Sequence, residues 1–283
     1  MEWIEVFKAV LYGIIEGITE WLPISSTGHL IILEKMVPLN MSDQFIEMFR
    51  VVIQLGAILA VVVMYWHKIW PVRRLPKQAT GAGGKLIIRP DVMSMWGKIV
   101  VACVPAGIVG VLFDDQIDAL FYNYTTVAIM LIIIGMAFFA VENYIQRSQA
   151  KVVDLSEITW LMAVTIGMFQ LLAAVLPGTS RSGATILGGI LIGLTRAVAA
   201  EFTFFLAIPV MFGASLLKLL KLHFALSGME ALVLFIGMAV SFVVSYYAIT
   251  FLMRYIKRHD FKPFGYYRIA LGILVLVLFS FVL

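Results

Sequence analysis

Long apolar runs alternate with short polar connections along the whole chain. A helix that crosses a lipid bilayer needs about 20 mainly apolar residues. Six segments have this length and character, at roughly 44–66, 97–113, 124–142, 198–219, 229–253 and 266–283. The pattern therefore predicts an all-α, polytopic membrane protein with six transmembrane helices.

Two further apolar stretches are interrupted by polar residues. The stretch 3–37 is broken at "LPISSTGH", and the stretch 158–194 is broken at "LPGTSRSG". The apolar pieces on either side are only about 10–17 residues long, which is short for a spanning helix. Each stretch is therefore predicted to form a re-entrant helix–loop–helix hairpin.

The two interrupted stretches resemble each other when the chain is shifted by 154 residues. The shift pairs Gly13 with Gly167, Glu16 with Gln170, Leu22-Pro23 with Leu176-Pro177, and Ser26 with Ser180. Each half has one hairpin and three spans, and an odd number of spans reverses the direction of insertion. We predict one membrane domain, 1–283, built from inverted repeats 1–150 and 151–283, with a site where the hairpins meet.

The composition agrees with a membrane protein. Of the 283 residues, 62% are hydrophobic and 13% are charged, with a mean hydropathy of +0.99. The single cysteine, Cys103, excludes an internal disulfide framework. The acidic start "MEWIE" lacks the basic region of a cleaved signal peptide, so we expect this end to be retained.

Basic residues are concentrated in two of the polar connections. The connection 67–98 carries seven lysines and arginines, and 254–268, which ends at Arg268, carries five. The segment "FDDQIDALFYNY" between the second and third spans has none. The positive-inside rule therefore places the two basic connections in the cytoplasm and the acidic one outside. This distribution gives no indication of nucleic-acid binding.

Glu16 and Glu20 lie in the first interrupted stretch and share one face of a helix. Two carboxylates this close in a membrane repel each other unless a cation or a basic group lies beside them. Oxygen ligands of this type suit a divalent cation such as Mg²⁺ or Ca²⁺. The alternative is an interfacial pair of glutamates that reaches towards the lipid headgroups.

Pro23 is followed by small polar residues that are candidate phosphate ligands: Ser25, Ser26, Thr27 and Gly28. Hydroxyls and free backbone N–H groups at a helix N-terminus form an anion site. The simpler alternative is an ordinary helix cap. Neither the anion site nor the cap accounts for His29, which is the one histidine inside a hairpin. We therefore predict that His29 takes part in the chemistry of the site.

The second interruption contains Arg181. An arginine in an apolar segment needs an anionic partner, and its planar guanidinium suits phosphate. The alternative is an internal salt bridge to one of the two glutamates, which is compatible with phosphate binding. Further candidate phosphate ligands are Ser180, Ser182, Gly183, Thr185 and, more remotely, Gln54.

These motifs are similar to those of a known family. "EGITEWLPISSTGH" together with "LPGTSRSGAT" resembles the undecaprenyl-diphosphatase, or bacitracin-resistance, family of bacterial membrane phosphatases. The resemblance implies hydrolysis of a C55-isoprenyl diphosphate to the monophosphate carrier used in cell-wall synthesis. It also implies a divalent cation, a bacterial plasma-membrane location and an active site that faces outwards. A homodimer is one expected oligomeric form.

Two other classes of membrane protein share features with this sequence. A type 2 phosphatidic-acid phosphatase needs a histidine and an aspartate where this chain has Leu187 and Leu191, so that class is excluded. A flippase that binds a polyprenyl phosphate without hydrolysis stays as the alternative, because inverted repeats with broken helices are common in transporters.

Three mechanisms are compatible with the motifs. In the first, Ser26 attacks the terminal phosphorus while Glu20 or His29 accepts its proton. In the second, His29 itself is the nucleophile and forms a phosphohistidine. In the third, a water molecule held by the metal ion attacks directly, with no covalent intermediate. In all three, Arg181 and Glu16 complete the catalytic group.

Overall fold

The helices follow the apolar runs of the sequence. The computed structural model of the protein describes residues 2–74, 86–145, 150–220 and 226–281. The middle of the predicted basic connection 67–98 lies outside these residues. Eleven α-helices are described, in the order α1 Glu2–Thr19, α2 Ser26–Met36, α3 Asp43–Val52, α4 Gln54–Ile69, α5 Pro90–Phe121, α6 Tyr124–Ile145, α7 Trp160–Val175, α8 Arg181–Leu191, α9 Arg196–Leu220, α10 Gly228–Tyr255 and α11 Lys262–Phe281.

Only short elements interrupt this helical architecture in the described part of the chain. Strands β1, Val72–Arg74, and β2, Leu86–Ile88, form an antiparallel pair in which Val72 lies opposite Ile88. A 3₁₀ turn at Leu155–Glu157 precedes α7. The fold is therefore all-α, as the hydropathy pattern predicts.

Six described helical stretches are long and apolar enough to cross a membrane. They are Asp43–Ile69, Pro90–Phe113, Tyr124–Ile145, Arg196–Leu220, Gly228–Tyr255 and Lys262–Phe281. The first of these is formed by α3 and α4 together. These stretches coincide with the six predicted spans, which confirms the polytopic membrane class.

Each interrupted stretch forms two helices joined by a short loop. The loops end at Ser25 (φ 73°) and Ser180 (φ 67°), the two non-glycine residues with positive φ in the described chain. Each serine Oγ caps the following helix by accepting from a backbone N–H, that of Gly28 in α2 and that of Gly183 in α8. The two turns therefore share a conformation that L-residues seldom adopt.

This geometry corrects one pairing predicted from the sequence. By conformation and capping role, Ser180 matches Ser25 and not Ser26. The second loop has one more residue between its proline, Pro177, and the capping serine than the first loop has after Pro23. A fixed shift of 154 residues therefore loses register at the loop.

The first helix of each pair packs against a long helix from the other half of the chain. Helix α1 packs on α10, and α7 packs on α5. Glycines permit both close approaches: a Cβ at Gly13 would lie 2.6 Å from the carbonyl oxygen of Gly237, and one at Gly167 would lie 2.5 Å from that of Ala102. Small residues allow helices to approach in this way in membranes.

Two ion pairs lie near the outer ends of α2 and α8, one close to each end of α6. Near the start of α6, Arg50 of α3 forms an ion pair with Glu34 of α2 over 2.5 Å and lies 5.9 Å from the centre of the Tyr122 ring. At its other end, Glu142 pairs with Arg196, which follows α8. This arrangement agrees with two oppositely directed hairpins, and their re-entrant passage through a membrane stays a prediction.

Candidate active site

The two hairpin loops meet through side chains of both halves of the chain. Arg181 Nη2 donates to Glu20 Oε1 over 3.0 Å, and Ser182 Oγ donates to the backbone carbonyl of Glu20 over 2.9 Å. The Arg181 and Glu20 side chains are only 12% and 7% exposed. The salt bridge that the sequence left as an alternative for Arg181 is present, and it joins two segments that are 161 residues apart.

Ser26 is the first residue of α2 and contacts the same carboxylate. Its Oγ donates to Glu20 Oε2 over 2.9 Å. A serine hydroxyl next to a carboxylate has an acceptor for its proton when it attacks an electrophile. Since Glu20 Oε1 is held by Arg181, each oxygen of this carboxylate has a separate partner. Of the two bases proposed for Ser26, Glu20 is the one in contact.

Both ring nitrogens of His29 contact groups other than the Ser26 hydroxyl. Its Nδ1 lies 2.7 Å from the carbonyl oxygen of Ser25, and its Nε2 lies 2.7 Å from the Tyr267 hydroxyl. A carbonyl only accepts, so Nδ1 carries a proton and Nε2 faces the tyrosine. The His29 and Tyr267 rings are also stacked, with centroids 5.6 Å apart.

Arg181 is held by more than its ion pair. Its Nη1 donates to the backbone carbonyl of Thr203 over 3.0 Å, and its guanidinium carbon lies 5.8 Å from the centre of the Trp21 ring. These contacts orient the guanidinium, while its Nε has no hydrogen-bond partner among the residues described. Trp21 and Thr203 were not among the predicted site residues, because nothing in an apolar run distinguishes them from ordinary core residues.

Helices α2 and α8 begin at Ser26 and Arg181, the two residues that contact the Glu20 carboxylate. Gly28 N donates to Ser25 Oγ over 3.3 Å, and Gly183 N donates to Ser180 Oγ over 3.1 Å. Ser180 Oγ also lies 3.1 Å from Ser182 Oγ. The simpler capping role predicted for these residues is therefore present. Helix N-termini also favour anions, so the geometry is compatible with phosphate binding.

The remaining predicted phosphate ligands differ in their surroundings. Thr185 Oγ1 is buried, donates to the carbonyl of Arg181 over 2.8 Å and accepts from Thr203 Oγ1. These bonds argue against a direct phosphate contact for Thr185 and favour a structural role. Thr27 is half-buried in the first turn of α2, and Gln54 is half-buried at the start of α4. Their roles stay predictions.

Glu16 differs from Glu20 in that both oxygens of its carboxylate are unpaired among the described residues. The residue is fully buried, and neither carboxylate oxygen accepts a hydrogen bond from any residue that the structure describes. The carboxyl group of Glu20 and, to a lesser extent, the guanidinium of Arg181 act on it electrostatically. Two adjacent carboxyl groups need a proton or a cation between them. In the described part of the chain, no group of three His, Cys, Asp or Glu residues surrounds this point.

These residues fit a divalent cation whose coordination is completed by other oxygens. Mg²⁺ is commonly held by one or two protein carboxylates together with substrate phosphate and water. An unpaired, buried carboxylate at Glu16 meets that requirement, and a full protein cage is not needed.

Helix α11 contributes two residues that the sequence analysis did not assign to the site. Tyr267 contacts His29, and its neighbour Arg268 is fully buried against both hairpin loops. The prediction that Arg268 belongs to a cytoplasmic connection is wrong, because α11 begins at Lys262 and carries Arg268 inwards. A charged residue at the edge of a predicted span is the signal that could have identified it.

Comparison with known proteins identifies the family of this chain. The family model of the bacitracin resistance protein BacA matches residues 9–274. An undecaprenyl-diphosphatase of Desulfitobacterium hafniense is 58% identical over 280 residues, covering 99% of this chain and 98% of the relative. A protein of Clostridium acetobutylicum with the name undecaprenyl-diphosphatase 1 is 57% identical and is covered over its full length. An undecaprenyl-diphosphatase of Enterococcus faecalis is 54% identical, with 98% of each chain covered. The chain therefore belongs to the bacitracin resistance protein BacA family.

Proposed function

We propose that the protein hydrolyses undecaprenyl diphosphate to undecaprenyl monophosphate and inorganic phosphate, and so regenerates a lipid carrier for cell-wall synthesis. Full-length relatives with the name undecaprenyl-diphosphatase support this function. The structural observation that supports it most is the contact set of Glu20, whose two oxygens bind Ser26 Oγ at 2.9 Å and Arg181 Nη2 at 3.0 Å. A serine, a base and an arginine are thereby brought together where two helices begin.

The proposed first step is attack by Ser26. Its Oγ forms a bond to the terminal phosphorus as the bond between that phosphorus and the bridging oxygen breaks. The Ser26 proton moves to Glu20 Oε2, and undecaprenyl monophosphate leaves. Arg181 and the backbone N–H groups at the starts of α2 and α8 neutralise charge on the phosphoryl oxygens as the bond breaks.

The proposed second step clears the phosphoserine. Water attacks the phosphorus, the bond to Ser26 Oγ breaks, and inorganic phosphate is released. Glu20 returns its proton to Ser26 Oγ, while the proton lost by the water leaves with the phosphate or through solvent. Glu20 therefore acts first as a base and then as an acid.

A divalent cation, Mg²⁺ or Ca²⁺, would be held by Glu16 and Glu20 and would withdraw charge from the diphosphate oxygens. Glu16 supports this assignment because its buried oxygens have no hydrogen-bond partner in the described part of the chain. The His29 mechanism is less favoured, because the two ring nitrogens of His29 already face the Ser25 carbonyl and the Tyr267 hydroxyl. We assign His29 to orienting the start of α2.

The test of the proposed function is phosphate release in detergent from a C55 or C15 isoprenyl diphosphate, with and without EDTA. We expect release that EDTA abolishes and that added Mg²⁺ or Ca²⁺ restores. The matched control is Ser26→Ala, purified and assayed in parallel. Failure of the wild-type protein to release phosphate from either substrate, at any concentration of divalent cation, would favour the flippase alternative.

We further propose that the two helix pairs are re-entrant hairpins of an inverted repeat in the bacterial plasma membrane, with the site open to the outside. The reciprocal packing of α1 on α10 and α7 on α5 supports the repeat. The orientation is supported by the basic residues next to α4 and by the acidic residues in the C-terminal part of α5, which lie beyond its apolar stretch Pro90–Phe113.

Cysteine labelling tests this orientation. Ser42 and Arg74 are both exposed and lie at opposite ends of the first predicted span. In a Cys103→Ser background, a membrane-impermeant maleimide applied to whole cells is expected to label Ser42→Cys and to leave Arg74→Cys unlabelled. The reverse pattern would invert the topology.

A further inference from the structure

Arg268 is a fully buried charged side chain that the proposed mechanism does not use. It lies on α11, is 0% exposed and is among the largest fully buried side chains of the described residues. None of the ion pairs found between described residues involves it. A buried charge without an ionic partner is costly, so hydrogen bonds must compensate for its lost hydration.

All hydrogen bonds found for Arg268 go to the backbone of the two hairpin loops. Its Nη1 donates to the carbonyl of Pro23 over 3.3 Å. Its Nη2 donates to the carbonyls of Gly178 and Thr179 over 2.8 and 2.9 Å. One guanidinium therefore binds the loop that leads to Ser26 with one nitrogen, and the loop that leads to Arg181 with the other.

The surroundings of the guanidinium leave little freedom for another arrangement. A Cβ added at Gly183 would lie 3.3 Å from Arg268 Nη1, so the guanidinium packs directly against the first turn of α8. A lysine has a single ammonium nitrogen and cannot reproduce the planar pair of donors. The contact with both loops depends on the shape of the side chain as well as on its charge.

We propose that Arg268 is a positioning residue for the reaction, which holds the two loops in register so that Ser26 and Arg181 act on the same phosphoryl group. This inference rests on the proposed function. Arg268 has no exposed surface for substrate and acts through the backbone carbonyls of Pro23, Gly178 and Thr179. A displacement of about 1 Å between reacting groups can lower a rate about 100-fold.

The test compares Arg268→Lys and Arg268→Gln with the wild-type protein and with Arg254→Gln. Arg254 is exposed on the neighbouring helix α10 and serves as the matched control. The kcat and KM for a C15 isoprenyl diphosphate are measured in detergent, after gel filtration and thermal unfolding have verified folding. We expect both Arg268 variants to lose about 100-fold in kcat with KM nearly unchanged, because the transition-state geometry is affected. Arg254→Gln is expected to match the wild type.

A double-mutant cycle separates positioning from a general loss of structure. Ser182 Oγ joins the same two loops through its bond to the Glu20 carbonyl. If both residues act on loop register, the effects of Ser182→Ala and Arg268→Lys on kcat are not independent and do not multiply. Gly183→Ala, which displaces the guanidinium without removing it, is expected to lower kcat in the same way and replaces any Arg268 variant that fails to fold.

The outcomes are distinct. Wild-type kcat in Arg268→Lys overturns the proposal and leaves the proposed function intact, as does a rise in KM at unchanged kcat. Independent, multiplying effects in the cycle also overturn it. An inactive wild-type protein overturns the proposed function together with this inference.

Discussion

The tips of the two hairpins share a backbone conformation and differ in chemistry. Ser25 and Ser180 both have positive φ, and both cap the helix that follows. The residue at the first helical position is Ser26 in the first hairpin and Arg181 in the second. Equivalent places in two matching turns therefore hold the proposed nucleophile on one side and a cation on the other.

The helices that precede the two tips also differ in chemistry, because acidic residues are present on the side of the first hairpin only. Helix α1 carries Glu16, and Glu20 directly follows its last residue, whereas the residues at the matching positions of α7 are Gln170 and Ala174. One turn thus presents carboxylates and the other a guanidinium, and the two attract each other where the loops meet. The repeated turn therefore sets where the two helix N-termini lie, while a few side chains decide which charge and chemistry each hairpin brings to the site.

The largest expected effect is that of Ser26→Ala. Removing the proposed nucleophile is expected to lower kcat at least about 1,000-fold. Rapid acid quenching with terminally labelled substrate is expected to trap label on Ser26 in the wild-type protein, because phosphoserine survives acid. A variant that keeps a tenth or more of the activity would rule out Ser26 as the nucleophile.

The equivalent residue of the second hairpin is tested by Arg181→Lys. This change keeps the charge but loses the two directed bonds, to Glu20 and to the carbonyl of Thr203. We expect kcat to fall about 100-fold, which is typical of a lost transition-state donor. Arg258→Lys, an exposed exchange of the same type, is the control. Near-normal turnover of the Arg181 variant would assign that residue a structural role.

A smaller effect is expected from Glu16→Gln. Since Glu16 has no hydrogen-bond donor to lose, its amide replacement is expected to leave folding intact. The concentration of Mg²⁺ needed for half-maximal activity is expected to rise at least about tenfold. Stabilisation of the protein by Mg²⁺ in thermal unfolding gives a readout independent of activity. Asp43→Asn, an exposed change of the same type, is the control. An unchanged Mg²⁺ response in Glu16→Gln would exclude Glu16 as a ligand.

The smallest expected effects concern the capping serines themselves. Ser25→Ala and Ser180→Ala each remove a cap and place alanine at positive φ, so each is expected to lower the free energy of unfolding by about 1–2 kcal/mol. Ser25→Gly and Ser180→Gly keep the conformation and are expected to cost only a few tenths of a kcal/mol. Denaturant unfolding in detergent measures these values. A large difference between the two hairpins would contradict the equivalence of the turns.

The six spans and the two interrupted stretches could be predicted because hydropathy and helix length are local properties. A run such as 229–253 is long and apolar whatever its neighbours are, and the corresponding helix occupies Gly228–Tyr255. The predicted pairing of Ser26 with Ser180 was wrong by one residue. The extra residue before Ser180 changes the register, and only the observed φ angles reveal which serines are equivalent.

The site could be predicted in part. A carboxylate or an arginine inside an apolar segment is conspicuous, so Glu20 and Arg181 were identified individually, and the structure brings them together. Trp21 and Tyr267 carry no comparable signal, because aromatic residues are frequent in the core and at the surface of membrane proteins. Their importance comes from the groups that they contact.

The sequence by itself determined the membrane class, the spans and the polar residues that cannot be left unpaired in an apolar segment, because each follows from the cost of placing a given side chain in lipid. Only the tertiary structure decided which base contacts Ser26, which partner holds His29, and that Arg268 binds both loops. These contacts join residues that are 6 to 245 positions apart. Their distances depend on how helices from both halves pack, and no local pattern encodes that packing.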